Sequence, residues 1–153
     1  MYQRAETSQT RQAFWTAFGQ YMAPMRSAEG EKITWLNYKT SEKHIHFKMH
    51  AGTKSASIGI ELTHADAGLR QLYFEQFEQY KTVLENYVTE PWTWKAQASD
   101  ENSRSISAIF KECRDVNIMN RNDWPALITF FKPRIIALDA FWCDVKYAFE
   151  ALR

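Results

Sequence analysis

The chain has 153 residues, of which 45% are hydrophobic. Its 19 Lys and Arg nearly balance its 18 Asp and Glu. This balance predicts a single globular domain over residues 1–153 and excludes intrinsic disorder, collagen and the strongly basic surface of a dedicated duplex binder. No apolar run reaches the length of a membrane helix and the start of the chain is polar, so we expect a cytoplasmic protein with no membrane partner.

The first half of the chain changes from a helical period to a strand period. Apolar residues recur at helical spacing over residues 8–22, which predicts a helix. The period then becomes two over residues 33–38, 44–50 and 56–64, with short polar connections between these segments. Short connections favour antiparallel pairing, so the sequence predicts a three-stranded meander.

The second half contains a long amphipathic helix, two strands and a final helix. Asp66 is a good N-cap for the first of these helices, and alternation predicts strands over residues 92–95 and 105–110. The last helix begins near Asn122, and Pro133 within it predicts a kink or a break. The order is αβββαββα, an α+β domain in which long helices pack on a largely antiparallel or mixed sheet. The first six elements, αβββαβ, follow the order of a restriction-endonuclease-like core. This is an analogy of fold only and implies no catalytic activity.

Apolar residues in phase with each element define the predicted core. The expected buried set is Ile45, Phe47, Ile58, Ile60, Phe77, Leu84, Phe110 and Ile135. The last helix also carries a heptad-like seam, which would pack either on the chain's own sheet or against a second copy. If the seam forms a homodimer, the interface candidates are Phe131, Leu138, Trp142, Val145 and Phe149.

Titratable side chains share one face of the predicted meander. His44, His46, Lys48 and His50 have the same parity, and Glu61 on the next strand lies on the same side if the strands pair in phase. Imidazoles beside a carboxylate suit a transition metal, a base near neutral pH, a ligand site or simply a solvated outer face. These five residues are the ligand-binding candidates. Because no spaced ligand set such as HExxH is present, no metal and no cofactor are predicted.

The chain lacks an intact nuclease signature. An endonuclease-like site needs an acid-x-Lys triplet on its third strand, because carboxylates hold Mg²⁺ and the lysine assists the attacking water. The corresponding triplet here is Glu61-Leu62-Thr63, without the lysine. The motifs GxSxG, GxxxxGK(S/T) and GxGxxG are also missing, so no catalytic residue is assigned.

Several motifs follow one another in an order that resembles a known family. They are Phe14-Trp15, HIHFKMH, IGIEL, YFEQFEQYKTVLEN, WTW, SRSISAIF, Asp123-Trp124-Pro125 and Phe131-Lys132-Pro133-Arg134-Ile135. Together they resemble the bacterial domain-of-unknown-function family 4268 over about residues 10 to 152. Members of such a family occur alone or appended to nuclease-like or defence-associated proteins. The resemblance therefore implies an accessory role linked to nucleic acid or to a nucleic-acid-processing protein, and it implies no catalytic residue.

Taken together, these features predict a small cytoplasmic binding or interaction module that is not an enzyme. Its predicted role is accessory to DNA processing or defence. The alternatives are a degenerate or divergent nuclease-like enzyme and a dimeric structural protein.

Overall fold

The computed structural model describes residues 4–153, which form four α-helices and one four-stranded sheet. The helices are α1 (Arg4–Met22), α2 (Ala67–Gln79), α3 (Lys81–Val88) and α4 (Trp124–Val145), with 3₁₀ turns at Arg121–Asp123 and Lys146–Leu152. The strands are β1 (Ile45–Ala51), β2 (Ser55–Leu62), β3 (Thr93–Ser99) and β4 (Ser105–Arg114). They pair antiparallel throughout, in the spatial order β1-β2-β4-β3. The predicted α+β class is confirmed.

One predicted strand does not form, because residues 33–38 lie in a loop held by side-chain hydrogen bonds. The indole N–H of Trp35 donates to the carbonyl of Met25 over 3.1 Å, and the hydroxyl of Tyr38 donates to Asp139 on α4 over 2.6 Å. Alternation could not show that the inward side chains of this segment contact a helix and a turn rather than a neighbouring strand. Without this strand, the match to the order of a restriction-endonuclease-like core is lost, and that core is not confirmed.

The long helix predicted after Asp66 divides into two. Asp66 caps α2 as predicted, since its Oδ1 accepts a hydrogen bond from the backbone N–H of Leu69 over 2.8 Å. The division falls at Tyr80, whose φ of −109° and ψ of 19° are not helical. The two shorter helices α2 and α3 therefore replace one continuous rod.

Helix α4 continues through Pro133, so the helix does not break there, and the alternative of a kink stays a prediction. Phe131 and Ile135 on either side of the proline are fully buried. This burial stabilises the helix across the missing N–H, because tertiary packing contributes most of a protein helix's stability. The α-helix ends at Val145, and the rest of the predicted helix is the 3₁₀ turn that follows.

The core fills the space between the helices and one face of the sheet. Seven of the eight predicted core residues are buried, namely Ile45, Phe47, Ile58, Ile60, Phe77, Leu84 and Ile135. Phe110 is the exception and is only partly buried. Among the described residues, no helix combines the length and apolar character that crossing a membrane requires.

The heptad-like seam of the last helix packs inside the chain. Phe131, Leu138, Trp142, Val145 and Phe149 are all buried in the core. The ring of Trp142, for example, lies 6.2 Å from the ring of Phe47 on β1 and 6.2 Å from that of Phe77 on α2. In this structure a second copy could reach these five predicted interface residues only after the chain had opened. A homodimer stays a prediction with no assigned surface.

The buried carboxylate of Asp139 joins the loop after α1 to α4. It is 2% exposed and accepts hydrogen bonds from the hydroxyl of Tyr38 over 2.6 Å and from the backbone N–H of Ala28 over 2.7 Å.

We expect Asp139→Ala to lower the free energy of unfolding by about 3 kcal/mol, because both donors lose their acceptor. Tyr38→Phe should lower it by only about 1 kcal/mol. Urea unfolding of both variants checks this, and an unchanged midpoint for Asp139→Ala would contradict it.

Candidate functional site

The sheet has one face covered by helices and one open face, and its register defines which residues lie on each. Residues paired across antiparallel strands point to the same face. One row of the open face contains His46, Glu61 and Ala108, and the next contains Lys48, Gly59 and Phe110. The neighbouring pair Ile60 and Ile109 points the other way into the core. The predicted polar face of the meander is therefore the open face of the sheet.

Strand β4 carries apolar residues on both faces, which is why its predicted orientation is wrong for Phe110. Ile109 is fully buried on the helix side, whereas Ile106, Ala108 and Phe110 lie on the open side. Ser107 is also fully buried on the helix side, and its hydroxyl is satisfied by donating to a backbone carbonyl on β3 over 2.7 Å. Alternation could not separate core from surface, because apolar residues occupy both parities.

The three apolar residues of the open side form the floor of a groove with a volume of about 710 Å³. Ile106 and Ala108 are only 4% and 8% exposed, yet neither belongs to the contiguous core cluster. One wall is formed by polar side chains of β1 and β2, and the other by β3 and the turn that leads to β4. Ligand sites in proteins typically have volumes of about 300 to 1,000 Å³ and an apolar lining with a few polar groups.

Four of the five predicted ligand-binding residues line this groove. His46, Lys48, His50 and Glu61 all lie along its first wall. His44 does not, because it precedes β1 and its ring turns towards the end of the sheet, where it lies 4.9 Å from the ring of His64. The structure thus brings the β1 and β2 candidates together and leaves His44 outside.

The two histidines of the groove have opposite pKa shifts. His50 Nε2 lies 3.0 Å from Glu61 Oε2, and this hydrogen bond to a carboxylate raises the pKa of His50. Burial lowers the pKa of His46, with a smaller contribution from the neighbouring charge of Lys48. The ring of His46 also lies 3.2 Å from the hydroxyl of Thr63. The two imidazoles therefore gain their protons at different pH.

The carboxylates of the groove differ in how they are engaged. Glu61 is paired with His50, and Asp100 accepts two backbone N–H groups of its own turn, each over 2.9 Å. Glu101, the third carboxylate of the lining, is exposed on the same turn. None of them lies in a group of three side chains able to hold a metal ion, and residues 4–153 contain no such group.

The cations of the groove are less engaged. Within the part of the chain that the structure describes, the side chains of Lys48 and Arg104 make no hydrogen bond or ion pair, and Lys95 only places its ammonium 5.8 Å from the centre of the Phe110 ring. These three cations equal the three lining carboxylates in number. The groove is thus near neutral while its histidines are neutral, and it becomes positive when they are protonated.

The sequence predicted neither the floor of the groove nor its second wall. Lys95 and Arg104 are on β3 and on the turn before β4, far along the chain from the histidines. The available signal was the apolar character of both parities of β4, since a strand with one solvated face needs apolar residues on one side only. Of the floor residues, Phe110 was instead predicted to lie in the core.

The fold and the groove define the class of protein. It is an α+β protein whose helices cover one face of an antiparallel sheet, while the other face carries a groove of ligand size. The chain belongs to the family described as Domain of unknown function (DUF4268), whose profile it matches over residues 10–146. This confirms the resemblance seen in the sequence. Comparisons with curated proteins and with solved structures found no significant match.

Gly59 has less room for a side chain than any other glycine of the chain. A Cβ atom added at this position would clash with the carbonyl oxygen of Ile109 and would lie 2.6 Å from Cβ of Phe110. We expect Gly59→Ala to lower the free energy of unfolding by about 1 to 3 kcal/mol, because neighbouring backbone must move. Gly52→Ala is the matched control, since its nearest neighbour would be the carbonyl oxygen of Ser55 at 3.7 Å. Equal urea unfolding midpoints for Gly59→Ala and Gly52→Ala would contradict this prediction.

His64 is a buried histidine at the junction of β2 and α2. It is 4% exposed, and its ring lies 4.2 Å from that of Tyr73 and 4.9 Å from that of His44. The buried guanidinium of Arg70 donates to the carbonyl of His64 over 2.8 Å. Burial lowers the pKa of His64 to about 4, and the nearby charges of His44, Arg70 and His46 add to the effect.

This lowered pKa predicts a loss of stability in acid. Between the ordinary value of 6.5 and about 4, the unfolded chain binds a proton at His64 that the folded chain does not bind. The free energy of unfolding therefore falls as pH drops through this window, by about 3 kcal/mol from this group. Urea unfolding at several pH values should show a smaller acid loss for His64→Gln than for the parent protein. If the free energy of unfolding of His64→Gln and of the parent protein falls equally with pH, His64 does not cause the loss of stability in acid.

Proposed function

We propose that this protein is a small cytoplasmic binding module that receives a phosphate-bearing partner on the open face of its sheet. In this proposal it is an accessory to DNA processing or defence, as its family resemblance implies. The observation that supports binding most is the groove. There the buried apolar side chains of Ile106 and Ala108, outside the core, lie near Lys48 and Arg104, whose side chains make no hydrogen bond or ion pair within residues 4–153. The free thiols of Cys113 and Cys143 agree with a reducing compartment.

The groove offers two kinds of group that recognise phosphate. Arg104 has a planar fork of donors that fits phosphate oxygens, whereas Lys48 supplies a compact charge on a flexible stem. Protonated His50 and His46 add donors and positive charge on the first wall. Because the other charges of the lining balance, protonation of these two histidines gives the groove a net positive charge.

The arrangement offers no specific support for the nuclease-like alternative. Glu61 is paired with His50 rather than placed beside a second carboxylate, and the position after Leu62 is Thr63 instead of lysine. A two-carboxylate Mg²⁺ site of the kind that nucleases use would need different partners for Glu61. The proposal is therefore limited to binding.

The first test is the pH dependence of binding to a single-stranded oligonucleotide of about ten nucleotides. We expect affinity to rise about tenfold as pH falls from about 7.5 to 5.5, because protonated histidines add charge opposite phosphate, and to weaken with added salt. The charged and titratable groups facing these histidines are Lys48, His44, Glu61, Glu101 and Lys95. Fluorescence anisotropy measures the dissociation constant, and affinity that falls on acidification would contradict the proposal.

Matched variants locate the binding surface. Lys48→Ala should weaken binding about fivefold to tenfold, whereas Lys54→Ala removes the same charge from the hairpin turn outside the groove and should have little effect. The double variant His46→Ala/His50→Ala should abolish most of the pH dependence. Because His44 lies outside the groove, the variant His44→Ala should retain the pH dependence of binding. Equal behaviour of Lys48→Ala and Lys54→Ala would place the binding surface elsewhere.

A further inference from the structure

We infer that the groove holds one nucleobase of a single-stranded nucleic acid against the ring of Phe110, with the adjoining phosphates facing Lys48, Lys95 and Arg104. This inference rests on the proposed function and specifies its ligand. Phosphate alone would need only the cations. The partly exposed ring of Phe110 on the apolar floor gains further burial only from a ligand that is partly apolar, and a nucleotide unit combines both properties.

The position of the Phe110 ring is determined by its cross-strand neighbour. Gly59 lies directly opposite Phe110, and Cβ of Phe110 occupies the space that any side chain at position 59 would need. The ring therefore stands beside a residue with no side chain, and it remains partly exposed on the open face. Because Gly59 has no side chain, nothing projects from this position of β2 to cover the partly exposed ring.

The ring also has a cation beside it. The ammonium of Lys95 on β3 lies 5.8 Å from the centre of the Phe110 ring, and Lys48 flanks Gly59 on the opposite strand. Because the Lys95 ammonium lies over the ring, a base that stacks there takes its place, and Lys95 and Lys48 then contact the adjoining phosphates. The same combination of aromatic stacking and a positively charged groove is used by proteins that bind single strands.

The walls offer hydrogen-bonding groups for the edge of a base. Gln97 on β3 and Asn102 on the following turn line the groove, and each carries an amide that both donates and accepts. Ser57 and Thr63 line the opposite wall with hydroxyl groups. Such groups can form hydrogen bonds with the edge of an unpaired base. In a duplex the pairing edge of each base is already bonded to the other strand.

A duplex fits these features poorly. Double-stranded binding relies on neutralising many phosphates, whereas the whole chain has a formal charge of only +1 and the groove lining is balanced. The apolar floor lies at the bottom of a concave surface, which stacked and paired bases cannot enter. The structure therefore favours an unpaired strand over a duplex.

The decisive experiment compares four ligands with the full chain at about pH 5.5 and low salt. They are a thymidine oligonucleotide of about ten nucleotides, an abasic phosphodiester of equal length and charge, the corresponding duplex and thymidine monophosphate. We expect the oligonucleotide to bind about tenfold more tightly than the abasic strand, since stacking on one aromatic ring contributes about that much. The duplex and the mononucleotide should bind more weakly than the oligonucleotide.

Two variants test the role of the ring. Phe110→Leu keeps an apolar side chain on the floor and should remove most of the difference between the thymidine and abasic strands. Tyr147→Leu is the control, because Tyr147 is 62% exposed on the last 3₁₀ turn, outside the groove. Its preference for the thymidine strand should equal that of the parent protein. Because the comparison of ligands uses the parent protein, the inference remains testable even if Phe110→Leu folds poorly.

The outcomes separate this inference from the proposed function. If the abasic and thymidine strands bind the parent protein equally, no base is held and the nucleobase inference is overturned, while phosphate binding stands. If the mononucleotide or the duplex binds as tightly as the oligonucleotide, the choice of a single strand is overturned. If none of the phosphate-bearing ligands binds, the proposed function itself fails.

Discussion

The helices of this protein can cover only one face of its sheet, and the rest of the structure depends on that constraint. Helix α4 and its neighbours bury Ile60 and Ile109 together with the apolar residues around them. The opposite face must then contact solvent, although β4 places a second apolar row there. That row is shielded by polar side chains on both sides, and this shielding produces a groove rather than a flat exposed patch.

The electrostatic character of the groove follows from its pairings. Glu61 lowers the positive potential near β1, but the same carboxylate raises the pKa of His50 and so keeps that imidazole protonated over a wider range. Burial has the opposite effect on His46. The charge of the groove therefore changes in two steps as pH falls, because His50 gains its proton before His46.

The loop between α1 and β1 shows how buried polar groups replace a strand. Trp35 and Tyr38 pack their rings against the core while their polar atoms donate to Met25 and Asp139, so these two groups are paired without a neighbouring strand. This leaves β1 as the edge of the sheet. It also draws the loop onto α4, away from the open face that carries the groove.

The sequence by itself determined the α+β class, the antiparallel hairpin of β1 and β2, the buried residues of that hairpin and the family. These depend on local periodicity and short connections, which are properties of neighbouring residues. Only the tertiary structure decided which face of β4 meets the helices, where the heptad-like seam packs and whether residues 33–38 pair as a strand. An apolar residue such as Phe110 gains stability against any apolar partner, so its pattern alone cannot say which partner the completed fold provides.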